Sequence, residues 1–162
     1  MGNILSKFFI CIKDDEIVDN PFSWQNMLEE MLFTTKPNNR DIHWVYAKRG
    51  NDDILAFMNK IAQEDGVIHT SARGNQMKYS VHAYINALNM DPKIVILDAT
   101  KFDLRYINYK GITDLKQGYF NPPSNILRNV IMDHPPHIAV FAYEKPKMKY
   151  FSEFNVHVIQ LE

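Results

Sequence analysis

Apolar positions along this chain follow first a helical spacing and then a run of buried strands. From Ser23 onward, Trp24, Met27, Leu28, Met31 and Leu32 recur on one helical face, predicting a helix over 24–33 with Ser23 as its N-cap. A polar stretch over 34–39, containing Pro37, reads as a connection into an apolar strand carrying Ile42, Trp44, Val45 and Tyr46. After a short loop, Ile54, Leu55, Phe57, Met58 and Ile61 mark a second amphipathic helix. A short strand is predicted over 67–70, a loop over 71–77 and a third helix over 79–88, stopped at Met90, Asp91 and Pro92. Ile94, Val95, Ile96 and Leu97 then form an unbroken apolar strand ending in Asp98, the signature of a parallel sheet covered on both faces. A helix over 112–116 ends at Gly118, the prolines at 122 and 123 break the chain, and strands follow over 137–142 and 156–161. The alternation predicts an α/β domain over 42–162, a mainly parallel five-stranded sheet with flanking helices, preceded by a short N-terminal extension over 1–41.

Composition changes this picture only by exclusion. The 162 residues are 46% apolar and 12% aromatic, enough for one buried core. Eighteen basic and nineteen acidic residues are interspersed, for a formal charge of -1, so no global field draws the chain to nucleic acid or an anionic surface. The single cysteine, Cys11, excludes an internal disulfide framework and a multi-cysteine zinc site and fits an intracellular, reducing compartment. No apolar run approaches the roughly 20 residues that span a bilayer. His134 and His137 flank two prolines and read as polar tips of a loop rather than metal ligands. Nothing in the spacing pairs Cys11 with a histidine for nucleophilic chemistry.

The N-terminus carries a location signal. Gly2, with Ser6 four residues on, matches the N-myristoylation pattern. One myristoyl chain anchors reversibly, so a second signal is expected, and Cys11 is close enough to be palmitoylated. Asp14, Asp15 and Glu16 cancel any polybasic patch formed by Lys7 and Lys13. The competing reading is a strand over 7–13 with Phe9 and Cys11 buried. The expected placement is therefore the cytoplasmic face of membranes, or otherwise the cytoplasm.

The loop over 47–53 has the outline of a phosphate-binding loop without its chemistry. Such a loop needs glycines to let backbone N–H groups close on phosphates, a lysine for the β/γ charge and a hydroxyl for Mg²⁺. Gly50 alone survives, while Ala47, Asp52, Asp53 and Ile54 occupy the positions of the first glycine, the last glycine, the lysine and the hydroxyl. Two carboxylates at a helix N-terminus suit the helix dipole and repel a triphosphate. Asp98, at the end of a buried strand, stands where a Mg²⁺-holding acid would, and capping a turn is its alternative role.

Taken in order, Trp44-Val45-Tyr46 before the loop with Gly50, the strand ending at Asp98, the block from Tyr109 to Phe120, the strand after Pro135-Pro136, and Phe151-Ser152-Glu153 before a final strand resemble the superfamily 3 helicase domain of replication initiator (Rep) proteins of circular single-stranded DNA viruses, of the nanovirus and circovirus kind. The resemblance covers about 42–161 and implies an AAA+-like fold, hexameric rings and ATP-driven movement on DNA. The sequence departs from that family where its chemistry lies. The phosphate lysine falls at Asp53, the hydroxyl at Ile54, the sensor asparagine at Tyr143 and the arginine finger at Phe154 or Asn155; residues 121–125 replace the family's lysine-bearing hairpin tip. Of the core set only Gly50 and Asp98 remain as a nucleotide-binding remnant. The family's N-terminal nuclease has no room, since no histidine precedes position 42.

The expectation is a catalytically inactive Rep helicase-like protein that uses no cofactor or metal. It would act as a membrane-tethered binding or regulatory protein, either a viral accessory factor acting on host defence or a host inhibitor. Residual nucleotide or nucleic-acid binding through Lys48, Arg49 and Arg73, with DNA held weakly at most, is the alternative. A third reading is interference with the rings of an active relative, which requires assembly with itself or that relative.

Overall fold

The computed structural model describes residues 8–12 and 16–19 as main chain, and 23–121 and 129–161 in full. Within it, α1 (Trp24–Thr34) starts where Ser23 Oγ accepts a bond from the Asn26 amide and buries Trp24, Leu28 and Leu32 along one stripe. Strand β3 (Asp41–Tyr46) follows, then α2 (Asp52–Ile61), β4 (Val67–Ser71), α3 (Gln76–Leu88) and β5 (Ile94–Asp98). After a 3-10 turn at Leu104–Tyr106 come α4 (Tyr109–Gln117), a two-stranded hairpin of β6 (Tyr119–Phe120) and β7 (Val130–Ile131), and the strands β8 (His137–Ala142) and β9 (Asn155–Leu161). Before α1, β1 (Phe8–Ile12) and β2 (Glu16–Asp19) form an antiparallel hairpin.

The sheet has seven strands in the order β2-β1-β9-β3-β8-β5-β4. Five of them, from β9 to β4, are mutually parallel, as expected of the α/β domain. The sequence reading gave no sheet role to Glu16–Asp19, which form β2. With β1 it extends the sheet antiparallel to β9, so residues from the N-terminal extension share one sheet with the 42–162 region. A strand is thus the backbone state of Cys11, whereas Gly2 and Ser6 lie outside the described residues.

Period-2 alternation divides the parallel strands between two apolar layers. On one face, Trp44, Leu97, Val140 and Val156 meet Met77 and Val81 of α3 and Ile112 and Leu115 of α4. On the other, Val45, Ile96, Phe141 and Ile159 meet α1 and α2, with Phe57 set between Trp24 and Phe141 at ring distances of 5.0 and 5.8 Å. Each fully buried large side chain of this kind contributes about 1.5–3 kcal/mol through burial. Two helices start three residues before their predicted positions, α3 at Gln76 and α4 at Tyr109. Buried Met77 and Tyr109 pull those first turns onto the sheet, and the Asn108 side chain caps α4 by accepting from the Gly111 amide. Gly118 ends α4 at φ 79°, a left-handed C-cap that relieves the last carbonyls.

Candidate functional site

The parallel strands deliver their C-terminal ends to one edge, and the loop after β3 lies there as the sequence predicts. Ala47 is buried and its N–H still donates to the Ala142 carbonyl, so the chain leaves β8 only at Lys48. The Asn51 amide then donates to the Lys48 carbonyl, and Gly50 bridges the turn at φ 94°. No atom lies within 4 Å of where a Cβ on Gly50 would stand, so glycine answers the backbone angle rather than a close approach. Asn51 caps α2, its Oδ1 accepting from the Asp53 amide at 2.9 Å, and Asp52 and Asp53 form the first turn with exposed side chains. Part of the donor set that would face a phosphate is therefore turned to the protein's own cap, and both first-turn side chains are anionic.

Asp98 is only 6% exposed at the end of β5. Its Oδ1 accepts from the Thr100 amide and hydroxyl at 2.8 and 2.6 Å, while its Oδ2 lies 3.9 Å from His69 Nε2 and 3.8 Å from Lys101 Nζ. Burial works against the carboxylate, but His69, the two Thr100 bonds and Lys101 outweigh it and hold the Asp98 pKa below the ordinary value. Asp98 thus takes up the turn-capping role that the sequence offered as its alternative. A Mg²⁺·ATP complex does not fit these residues, because the acid already faces two basic groups and the α2 turn adds two like charges to the phosphates.

Two clefts flank Asp98. One, of about 440 Å³, is lined by His69, Arg73, Gln76, Asp98 and Lys101 among others. The second, of about 400 Å³, carries Arg49, Lys101, Arg105, Tyr143 and Lys147. Arg49 lies 5.3 Å over the Tyr143 ring, and Arg73 and Arg105 lie 4.6 and 5.7 Å from the Tyr106 ring. Tyr143, which the resemblance aligns with a sensor residue, is therefore a platform for a guanidinium. The arms of the hairpin after Gly118 are present as β6 and β7, while positions 122–128 lie outside the described residues. Phe154 is buried in the core, and Asn155 Nδ2 donates to Asp41 Oδ1 at 3.1 Å, so neither residue that the resemblance aligns with an arginine finger projects a charge.

The opposite, N-terminal edge holds a polar cluster that the sequence reading missed. His43 of β3 is 2% exposed and sits beside His157 of β9, with ring centroids 5.3 Å apart, and near His137 of β8 at 6.2 Å. His137 is not a loop tip: it opens β8, is buried, and its Nε2 bonds to the Thr35 carbonyl at 2.8 Å. Its ring lies across the end of α1, a tertiary contact that flanking prolines do not reveal. Lys116 of α4 is fully buried and donates to the Pro136 carbonyl at 2.8 Å. Burial lowers its pKa to about 8, with distant Asp41 opposing. The strand alternation that puts Val45 inward also puts Asp41 and His43 on that face, a signal the sequence carried.

Among the described residues, no group of three His, Cys, Asp or Glu side chains is placed to hold a metal ion. No described helix is long and apolar enough to cross a membrane. No family model and no curated protein matches the chain.

Proposed function

We propose that this chain is a catalytically inactive, Rep helicase-like AAA+ domain that acts by binding rather than turnover, tethered to membranes through an acylated Gly2. The observation that carries the reading is the α2 N-terminus: the turn that would receive a triphosphate is capped by Asn51 and carries Asp52 and Asp53. The parallel strands, the Gly50 turn between β3 and α2, Asp98 ending β5 and the β6–β7 hairpin after Gly118 agree with the order of segments on which the resemblance rests. Removing the lysine, sensor and finger together takes away phosphate binding, water positioning and transition-state charge at once. Asp53→Lys alone is therefore expected to leave ATP hydrolysis at background in a phosphate-release assay, and turnover by that variant would overturn the inactive reading. The role of such a protein, a viral accessory factor or an antagonist of host defence, depends on location. Gly2→Ala should move it from membranes to cytosol in fractionated eukaryotic cells without changing its melting temperature, and Cys11→Ser should do so in part. A wild-type protein already wholly cytosolic would remove the tether from the proposal.

A second reading is favoured by the clefts beside Asp98. Arg49, Arg73, Lys101, Arg105 and Lys147, interleaved with Tyr106 and Tyr143, offer charge and stacking surface to a nucleotide or single strand without turnover. Binding of this kind would weaken steeply with salt. Weak oligonucleotide binding lost in the double variant Arg49→Ala/Arg105→Ala supports this reading, while binding unaffected by those changes excludes it.

A further inference from the structure

The histidine row at the N-terminal edge has no part in the proposed function. His157, His43 and His137 come from three adjacent strands and lie on the sheet face covered by α1 and α2. His43 Nε2 is buried with no hydrogen-bond partner among the described residues. Above the row, His137 Nε2 holds the Thr35 carbonyl just past α1. The connection from there to β3 is held by Asn38, on the residues that lead into the strand. Asn38 donates to Asp41 Oδ2 at 2.8 Å and accepts from the Arg40 and Asp41 amides at 2.9 and 2.8 Å.

We propose that this row is an acid-operated lock: while His43 is neutral, the last turn of α1 and the 35–40 connection stay seated on the sheet, and proton uptake at His43 releases them. A charge on His43 would face His157 stacked at 5.3 Å, His137 at 6.2 Å and Lys116 from α4, cations or potential cations from three elements. The opposing carboxylate, Asp41, is already engaged by Asn38, by Asn155 and, at 3.7 Å, by His157 Nε2. Water must therefore reach His43 for it to stay charged. The strands on either side are fixed by their ladders, so the cover that can lift is the α1 end, held by the His137 bond and the apolar contact of Leu32.

Burial, then His157, His137 and Lys116, lowers the His43 pKa from 6.5 to about 3. The native state therefore binds fewer protons than the opened state between those values. Stability of the closed form is complete above pH 6.5 and falls as pH drops from there toward 3. For one such group the closed form loses about 30-fold in its equilibrium against an opened form with an ordinary histidine between pH 7.5 and pH 5.

Amide exchange on the full chain, corrected for intrinsic pH dependence, tests the lock. Protection at Leu32, Phe33 and Thr34 is expected to fall at least 10-fold from pH 7.5 to pH 5, while Trp44, Leu97 and Val140 keep theirs. His43→Leu should abolish that selective loss. Equal pH dependence at both sets of amides, or a loss unchanged in His43→Leu, overturns the proposal. Should the variant fail to fold, NMR titration of the wild-type imidazoles decides: His43 staying neutral to below pH 5 in the closed form supports the lock, and titration near 6.5 overturns it.

Discussion

The two edges of one parallel sheet treat charge in opposite ways. At the C-terminal edge, where the resemblance places nucleotide chemistry, Asp52, Asp53, Arg49 and Lys101 face solvent, and the one buried acid, Asp98, is met by Thr100, His69 and Lys101. At the N-terminal edge, Lys116 is fully buried against the Pro136 carbonyl and His43 has a nitrogen with no partner among the described residues. Water screens the first edge and is kept from the second, so the groups that weigh most on stability lie away from the candidate site. A polar residue's importance to the fold is therefore a poor guide to its importance in function here.

The largest effect expected from breaking this contrast is at Lys116. The Lys116→Met variant replaces a buried cation by an apolar side chain of similar length and should stabilise the protein by about 1–4 kcal/mol at pH 7 in urea unfolding. The folded-state pKa of about 8 lies below the unfolded 10.5, so between these values the unfolded chain binds more protons and wild-type stability rises with pH. The advantage of the methionine variant should accordingly shrink from pH 8 to pH 10.5. An advantage that stays constant over that range would mean that Lys116 is not held as a charge in the dry interior.

A smaller effect of opposite sign is expected at the other edge. Asp98→Ala leaves the Thr100 amide and hydroxyl without their acceptor and should cost about 1–3 kcal/mol, read by the same unfolding experiment. Because the Asp98 pKa is lowered in the fold, its ionic contribution is present above the ordinary carboxylate value near 3.8 and is lost as pH falls below it. Asn51→Ala, which removes the α2 cap, should cost about 1 kcal/mol. A neutral Asn51→Ala would mean that the α2 N-terminus is free to take an outside acceptor, and the two edges would then differ less than their geometry indicates.

Much of the fold was legible because the sequence repeats its message at several levels. Ile94, Val95, Ile96 and Leu97 could only be a strand covered on both faces, and all four are buried. Ser23 and Gly118 marked helix ends that the structure keeps. β1 answers to the competing reading of a strand over 7–13, while β2 was obscured because its first residue, Glu16, read as part of a charge run, although an edge strand tolerates charge. The places of Gly50, between β3 and α2, and of Asp98, ending β5, were legible from the strand and helix patterns around them. His43, His137, His157 and Lys116 were not, since their meaning comes from register between strands distant in sequence and from the way α1 and α4 close over the sheet.

On the proposed reading, the Gly50–Asp98 edge keeps the outline of a nucleotide site without its affinity. Isothermal calorimetry of the full chain with Mg²⁺·ATP at pH 7.5, alongside its melting temperature in the same titration, measures this directly. No saturable heat and no shift in melting are expected at millimolar nucleotide. A ligand present at 100 times its dissociation constant would stabilise the fold by about 2.7 kcal/mol, so a saturable, Mg²⁺-dependent isotherm with a matching rise in melting temperature would contradict that reading.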